Sequence, residues 1–203
     1  MTFIDNVKVG NICPQDGTVV VDKKPGGEVR CMYMICGEVI NKDGSCCKIH
    51  RILNLNTYKI VERNFGTPKE TYKYIADNLV KDELPIVICN PEAIVSLVEG
   101  FVNNYRWGYC IMRFINETKV EEPKIDIGTI LIEDPNDDSK AIYVICNAKD
   151  IMSSGYGYKI VDLQKYEILP IVFIDLEEIY DYIKDTLVTS VDKMVIYIPG
   201  EGC

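Results

Sequence analysis

Short apolar segments closed by turns recur along the chain at the spacing of β-strands. Cys31–Cys36 and Ala141–Cys146 are nearly continuous apolar runs, a pattern typical of strands that are buried on both faces. Each run is followed by two further apolar segments. These predicted strands are Ile49–Leu55, Tyr58–Val61, Tyr158–Leu163 and Tyr166–Leu169. Short strands in regular succession, each bounded by a turn, predict a small barrel or a curled sheet.

An alternating segment is predicted to come before each of these sets of strands. Val7–Ile12 and Ile125–Ile130 alternate apolar and polar residues, and each has a glycine at its fourth position. Glycine within a strand often marks a bend, so we expect a sharply curved first strand in both places. On this alignment Thr18–Val21 belongs to an insertion in a hairpin of the first half.

An amphipathic helix is expected after the fourth strand of each set. Thr67 and Glu70 have the spacing of a capping box, with Pro68 at the first helical position. Asp175 and Glu178 have the same spacing in the second half. The apolar stripe of the first helix consists of Tyr72, Ile75, Ala76 and Leu79.

The two helices lie within one long internal repeat. A shift of 108 positions aligns His50–Ile88 with Tyr158–Ile196 without a gap, and 14 of the 39 aligned positions are identical. The aligned segments end in predicted strands at Pro85–Cys89 and Lys193–Ile198. The pattern predicts an α+β protein made of two tandem copies of a small curved-sheet or barrel-like module with the element order β-β-β-β-α-β.

The first copy is predicted to be the longer of the two. An additional helix and a long strand are expected over residues 90–115, which have no counterpart in the second copy. The polar segment Glu117–Lys124 contains a proline and separates the copies. We therefore predict an N-terminal repeat domain at 1–118 and a C-terminal repeat domain at 119–203.

The net charge and the cysteine content indicate which binding partners and which cellular compartment are expected. The net charge of −9 makes direct nucleic-acid binding unexpected, because such binding relies on Lys and Arg. No segment has the length of an apolar membrane helix and no signal peptide is apparent, so a cytoplasmic protein without membrane association is expected. The nine cysteines are then expected to be reduced thiols. The Ile-, Tyr-, Lys- and Asn-rich composition suggests an AT-rich bacterium or its phage as the source.

Cys46, Cys47 and His50 are the best candidates for metal binding or nucleophilic catalysis. Zinc requires thiolate and imidazole ligands in a tetrahedral arrangement. Nearby Cys31 and Cys36 differ in strand parity, however, so their side chains are expected on opposite faces. We predict core positions for most of these thiols, and no metal, cofactor or catalytic residue.

The repeated helix carries a shared polar face in both copies. Its residues are Glu70, Tyr74 and Asp77 in the first helix and Glu178, Tyr182 and Asp185 in the second. A structural interpretation is that each glutamate closes a capping box, each tyrosine packs on the sheet and each aspartate is solvated. The functional interpretation is a pair of acidic and aromatic patches that bind a protein partner.

The leading hypothesis is a non-catalytic protein-binding or inhibitor module with two similar acidic domains, directed at a host protein if the source is a phage. An alternative is a small-ligand binder that takes a nucleotide-like molecule in a cleft between the domains, with Tyr105, Trp107 and Tyr109 as stacking residues. A third is a Cys-dependent enzyme centred on Cys47 and His50. The oligomeric state is left open.

Overall fold

The architecture is mixed α+β and mostly sheet. A computed structural model describes residues 13–42, 44–81, 86–88, 113–114, 125–133, 141–149, 156–183, 186 and 194–197. The strands are β1 (Val19–Lys23), β2 (Val29–Lys42), β3 (Ser45–Asn54), β4 (Lys59–Ile60), β5 (Ile86–Ile88), β6 (Arg113–Phe114), β7 (Ile130–Glu133), β8 (Ile142–Lys149), β9 (Tyr156–Asp162), β10 (Glu167–Ile168) and β11 (Met194–Tyr197). The helices are α1 (Pro68–Tyr74), which continues into a π-helical segment Ile75–Leu79, and α2 (Leu176–Tyr182).

Six of these strands, β2, β3, β4, β8, β9 and β10, close a barrel. Within each half of the chain the neighbouring barrel strands are antiparallel. The two seams between the halves are parallel: β4 pairs with β8 at Lys59 and Asn147, and β10 pairs with β2 at Glu167 and Gly37. Strands from both sides of residue 118 therefore build one barrel, and the division into domains 1–118 and 119–203 stays a prediction.

The remaining strands extend the sheet beyond the barrel. β1 lies antiparallel to both β2 and β5, and β7 lies antiparallel to both β8 and β11. β6 pairs with the free side of β11. The predicted returning strands are confirmed as β5 and β11, which each pair with the first strand of their own half.

A tyrosine with a left-handed backbone holds each parallel seam. Tyr58 has φ of 51° and Tyr166 has φ of 57°, values that are uncommon for residues other than glycine. The carbonyl of Tyr58 accepts a hydrogen bond from the amide of Asn147 at 3.0 Å, and the carbonyl of Tyr166 accepts one from the amide of Gly37 at 2.8 Å. The tight turn before β4 and before β10 thus delivers a backbone acceptor to the strand of the other half.

Side chains alternate between the barrel interior and the outer face, as the pleat of a strand requires. The interior is filled mainly by aliphatic residues, among them Met34, Leu53, Ile60, Val144, Val161 and Ile168. On the outer face, Ile35 and Ile52 pack against Phe65 and Ile75 beside α1. In the second half Ile145 and Ile160 pack against Phe173, Ile179 and Ile183 of the α2 region. Each helix therefore covers the outer face of its own half.

The structure corrects the expectation of a bent strand over Ile125–Ile130. Residues 126–129 form a turn in which the hydroxyl of Thr129 accepts a hydrogen bond from the amide of Asp126 at 2.9 Å, and Gly128 adopts φ of 84°. The strand begins only at Ile130. The glycine provides the left-handed turn conformation rather than a bulge within a strand.

The same turn precedes β1, so the insertion proposed for Thr18–Val21 is also wrong. The hydroxyl of Thr18 accepts from the amide of Gln15 at 3.0 Å, and Gly17 has φ of 87°. Val19–Lys23 is therefore the counterpart of β7 in pairing, not an extra hairpin segment. The Gly-Thr pair followed by apolar residues was the signal that indicated the correct alignment.

The predicted segments Cys31–Cys36, Ala141–Cys146, Ile49–Leu55 and Tyr158–Leu163 are confirmed as parts of β2, β8, β3 and β9, some of them shifted by a few residues. The predicted strand Val7–Ile12 and the extra helix after residue 90 lie outside the described residues. Among the residues that the structure describes, no helix is long and apolar enough to cross a bilayer.

Candidate functional site

Both predicted capping boxes are present at the helix starts. The hydroxyl of Thr67 accepts from the amide of Glu70 at 3.2 Å, and the carboxylate of Glu70 accepts from the amide of Gly66 at 3.0 Å. At α2, the carboxylate of Asp175 accepts from the amide of Glu178 at 2.9 Å, and Glu178 in turn accepts from the amide of Ile174 at 2.8 Å. These two glutamates are exposed, yet each also holds its helix start in place.

The tyrosines of the predicted polar face lean onto the sheet. The ring of Tyr74 lies 5.2 Å from that of Phe65, and the ring of Tyr182 lies 5.3 Å from that of Phe173. Both tyrosines are half-buried. The guanidinium of Arg63 lies 4.7 Å above the ring of Tyr74, a cation–π distance. The tyrosines therefore have a packing role.

Of the two aspartates of the predicted polar face, one lies within the described residues. Asp77 is exposed on the π-helical segment that follows α1, and Asp185 lies outside the described residues. The structure thus brings Glu70, Tyr74 and Asp77 to one helical region. Their assignment as partner-binding residues stays a prediction.

An exposed apolar edge precedes α2, and sequence analysis did not single it out. Val172 is 41% exposed and Ile174 is 77% exposed, while Phe173 between them is buried. We call Val172 and Ile174 the apolar edge. It is followed directly by Asp175, and exposed Glu177 and Glu178 come next on the helix.

The cysteine and histidine candidates do not come together in the structure. Cys46 and Cys47 are exposed on β3, and Cys36 is buried in β2. Cys47 and His50 are separated by three positions along one continuous strand, so their side chains project from opposite faces. Among the described residues no group of three His, Cys, Asp or Glu side chains has the geometry of a metal site.

His50 instead pairs with a carboxylate from the turn before β1. Its Nδ1 lies 2.7 Å from Oδ1 of Asp16, and the ammonium of Lys48 lies 2.8 Å from Oδ2 of the same residue. Because an ionised carboxylate only accepts, Nδ1 carries the hydrogen in this pair. The hydrogen bond to Asp16 raises the pKa of the Lys48 ammonium. The arrangement fixes the turn before β1 on the outer face of the barrel.

Three charged residues, none of them singled out from the sequence, occupy the barrel interior. Glu38 on β2, Arg51 on β3 and Lys159 on β9 are 3%, 6% and 6% exposed. They share the inward parity of their apolar neighbours on the same strands. We call these three residues the barrel charge cluster.

One carboxylate serves both cations of this cluster. Arg51 Nε lies 2.5 Å from Glu38 Oε2, and the ammonium of Lys159 contacts the other oxygen, Oε1. β2 and β9 are not neighbouring strands, since β10 lies between them, so the Glu38–Lys159 contact spans the barrel interior. The contact joins residues that are 121 positions apart in sequence.

Buried thiols and a tyrosine lie around the cluster. By strand register Cys36 is opposite Arg51, and Cys146 is opposite Lys159. Burial raises the pKa of both thiols well above the ordinary value, so both are neutral at physiological pH. Burial also raises the pKa of Tyr58 to about 12. The two thiols and Tyr58 therefore add no charge to that of the cluster.

The sequence did contain a signal for this cluster. Glu38 interrupts the apolar run of β2 at an inward position, and Arg51 and Lys159 are aligned by the repeat shift. A charged residue in a segment expected to be buried is informative, because such residues are almost never buried without a partner.

Comparison of the chain with protein-family models, with curated proteins and with solved structures finds no match in any of the three. The candidate ligand-stacking residues Tyr105, Trp107 and Tyr109 lie outside the described residues. Within the described part of the chain, the apolar edge and the barrel charge cluster are the two features that suggest a function.

Proposed function

We propose that this chain is a non-catalytic protein-binding protein made of two tandem copies of one module. The observation that carries the proposal is the apolar edge, where Ile174 is 77% exposed beside three acidic residues. An apolar centre with a polar rim is the common anatomy of a protein–protein interface. A single exposed aliphatic residue is ordinary, but here two exposed aliphatic residues flank a buried phenylalanine.

Charge indicates the kind of partner. The acidic side chains beside the apolar edge, together with the net charge of −9, favour a partner that presents a basic surface around an apolar pocket. If that surface is a functional cleft of the partner, binding there inhibits it. This is the inhibitor role that the acidic composition suggested.

The two halves contribute unequally to this proposed contact. At the positions that match Val172, Ile174 and Glu177 under the repeat shift, the first half has Asn64, Gly66 and Lys69. The start of α1 therefore has neither the apolar pair nor the same charge. We expect the second half to make the main contact and the first half to add contacts through Asp77.

An exchange of edge residues tests the proposal. In the double variant Ile174→Gly and Glu177→Lys, the α2 edge acquires two of the three residues that differ at the α1 edge, and Val172 is kept. We expect this variant to lose at least about tenfold in affinity for a partner captured from a host lysate, since full burial of an isoleucine side chain contributes about 1.5–3 kcal/mol. Both positions are exposed, so the unfolding midpoint should change little.

The matched control is Lys69→Glu, which changes a charge at the corresponding position of α1. It should leave partner affinity nearly unchanged. Equal binding by the double variant and the wild-type protein would remove the apolar edge as the contact. Glu70 and Glu178 are unsuitable as probes because their substitution also removes a helix cap.

A further inference from the structure

The barrel charge cluster has one positive charge in excess. Arg51 and Lys159 each carry one positive charge, and Glu38 is their only carboxylate partner among the described residues. All three residues are more than nine-tenths buried. A charge away from water is strongly disfavoured unless an opposite charge lies close by, so this arrangement is incomplete as it stands.

The hydrogen bonds of the cluster are incomplete as well. Arg51 Nε and Glu38 Oε2 lie 2.5 Å apart but form no directed hydrogen bond, and both atoms are buried without another partner. Guanidinium groups bind carboxylates and phosphates most strongly through two parallel hydrogen bonds. Glu38 does not provide that geometry to Arg51.

The matching position in the second half shows which group is missing. Glu38 follows inward Cys36 by two residues, and Ala148 follows inward Cys146 by two residues. Ala148 is buried but has only a methyl group, so the interior has two cations and one carboxylate where matching halves would supply two of each. Lys159 therefore shares the carboxylate of the other half.

We infer that the barrel interior binds a small oxyanion, a carboxylate or a phosphate group, between Arg51 and Lys159 on the side of Ala148. The anion supplies the second negative charge and accepts hydrogen bonds from the guanidinium and the ammonium. The side chains of Arg51 and Lys159 each retain an exposure of 8%, so both cations can be reached from the solvent. This site is separate from the apolar edge and goes beyond the proposed partner binding.

Titration with inorganic phosphate and with acetate at constant ionic strength tests the inference. One of the two anions should raise the unfolding temperature of the wild-type protein in a saturable way, because a ligand that binds only the native state stabilises it. The anion that stabilises the protein shows whether the site binds a phosphate or a carboxylate. Sodium chloride at the same ionic strength measures the screening background. Phosphorus NMR of the phosphate provides a direct reading of binding.

Two variants make the result specific. Lys159→Met leaves Glu38 and Arg51 as a neutral pair and should weaken anion binding at least about tenfold. Lys165→Met removes the same charge from a side chain that is 68% exposed and should leave anion binding unchanged.

A second variant covers the case in which Lys159→Met does not fold. Ala148→Glu provides the missing carboxylate from the chain itself, so it should raise the unfolding temperature without ligand and abolish the response to anions. The inference is wrong if the wild-type protein responds to neither anion, or if Lys159→Met or Ala148→Glu responds as the wild-type protein does.

Discussion

Glu38 and Ala148 face the barrel interior from matching positions of β2 and β8, but only the first carries a charge. The helix starts differ in a similar way, since Ile174 and Glu177 stand where the first half has Gly66 and Lys69. The two halves therefore differ inside the barrel and at the exposed starts of their helices. Both differences concern side-chain chemistry, and neither disturbs a backbone hydrogen bond.

The backbone frame is the same on both sides. The turns at Gly17 and Gly128 have nearly equal φ values, and Tyr58 and Tyr166 hold the two seams with equivalent hydrogen bonds. Closure of the barrel depends on these contacts, so we expect few substitutions to be tolerated at the residues that make them. The comparison indicates that specific function is to be sought where the halves diverge.

The largest effect is expected from removing the one carboxylate of the barrel charge cluster. Glu38→Gln leaves Arg51 and Lys159 without a counter-charge and should lower the free energy of unfolding by about 3–5 kcal/mol, measured by urea denaturation. The control Glu28→Gln breaks a pair with Lys24 in which the glutamate side chain is 70% exposed, and should change stability by less than about 1 kcal/mol.

The double variant Glu38→Gln and Lys159→Met sharpens this test. It leaves a single buried cation instead of two, so it should be more stable than Glu38→Gln alone. Equal urea midpoints for Glu38→Gln and Glu28→Gln would show that the cluster contributes no more than a surface ion pair.

A smaller effect is expected at the left-handed tyrosine of the first seam. The pKa of Tyr58 is about 12 in the folded protein against 10.0 for the free side chain, because burial disfavours the phenolate. The unfolded chain then loses this proton first as pH rises. The contribution of Tyr58 is complete below pH 10 and is lost between pH 10 and about 12, by about 2–3 kcal/mol in total.

Tyr58→Phe should remove that part of the alkaline destabilisation. The free energy of unfolding of both proteins is measured by urea denaturation from neutral pH to about pH 12. The buried thiols are present in both proteins, so the difference between the two stability curves reports Tyr58 alone. Parallel stability curves over this range would contradict the burial of the Tyr58 hydroxyl.

The smallest effect is expected from removing either of the two helix caps. Thr67→Ala and Asp175→Ala each remove the side-chain acceptor of a capping box and should each lower the free energy of unfolding by about 1 kcal/mol. Because the two caps have the same hydrogen-bond pattern, the two losses should be similar, with a difference of about 0.5 kcal/mol or less. Lys69→Ala, on the exposed face of α1, is the control. If Thr67→Ala and Asp175→Ala lower the free energy of unfolding no more than this control does, the capping boxes do not stabilise the helices.

The sequence predicted the elements that depend on local chemistry. Thr67 with Glu70 and Asp175 with Glu178 indicated the helix starts, and apolar runs indicated β2 and β8. The alternation at Ile125–Ile130 was misleading, because a turn that contains Gly128 and Thr129 can also alternate polar and apolar residues. The local pattern marked the three charged positions of the barrel charge cluster, but it could not predict their contact or the two seams, since these join residues from distant parts of the chain.

The parallel seams also govern how the chain can acquire its fold during synthesis. Glu38 meets Lys159 only after 121 further residues have been made, which takes on the order of ten seconds at ordinary translation rates. Until then β2 presents an unpaired edge where β10 will add, and a buried carboxylate has one of its two cations missing. The first half therefore cannot complete its native strand pairing before the second half is made, and the dependence on long-range contacts makes the final closure slow. Edge strands in that state are the sites where nascent chains aggregate or recruit chaperones.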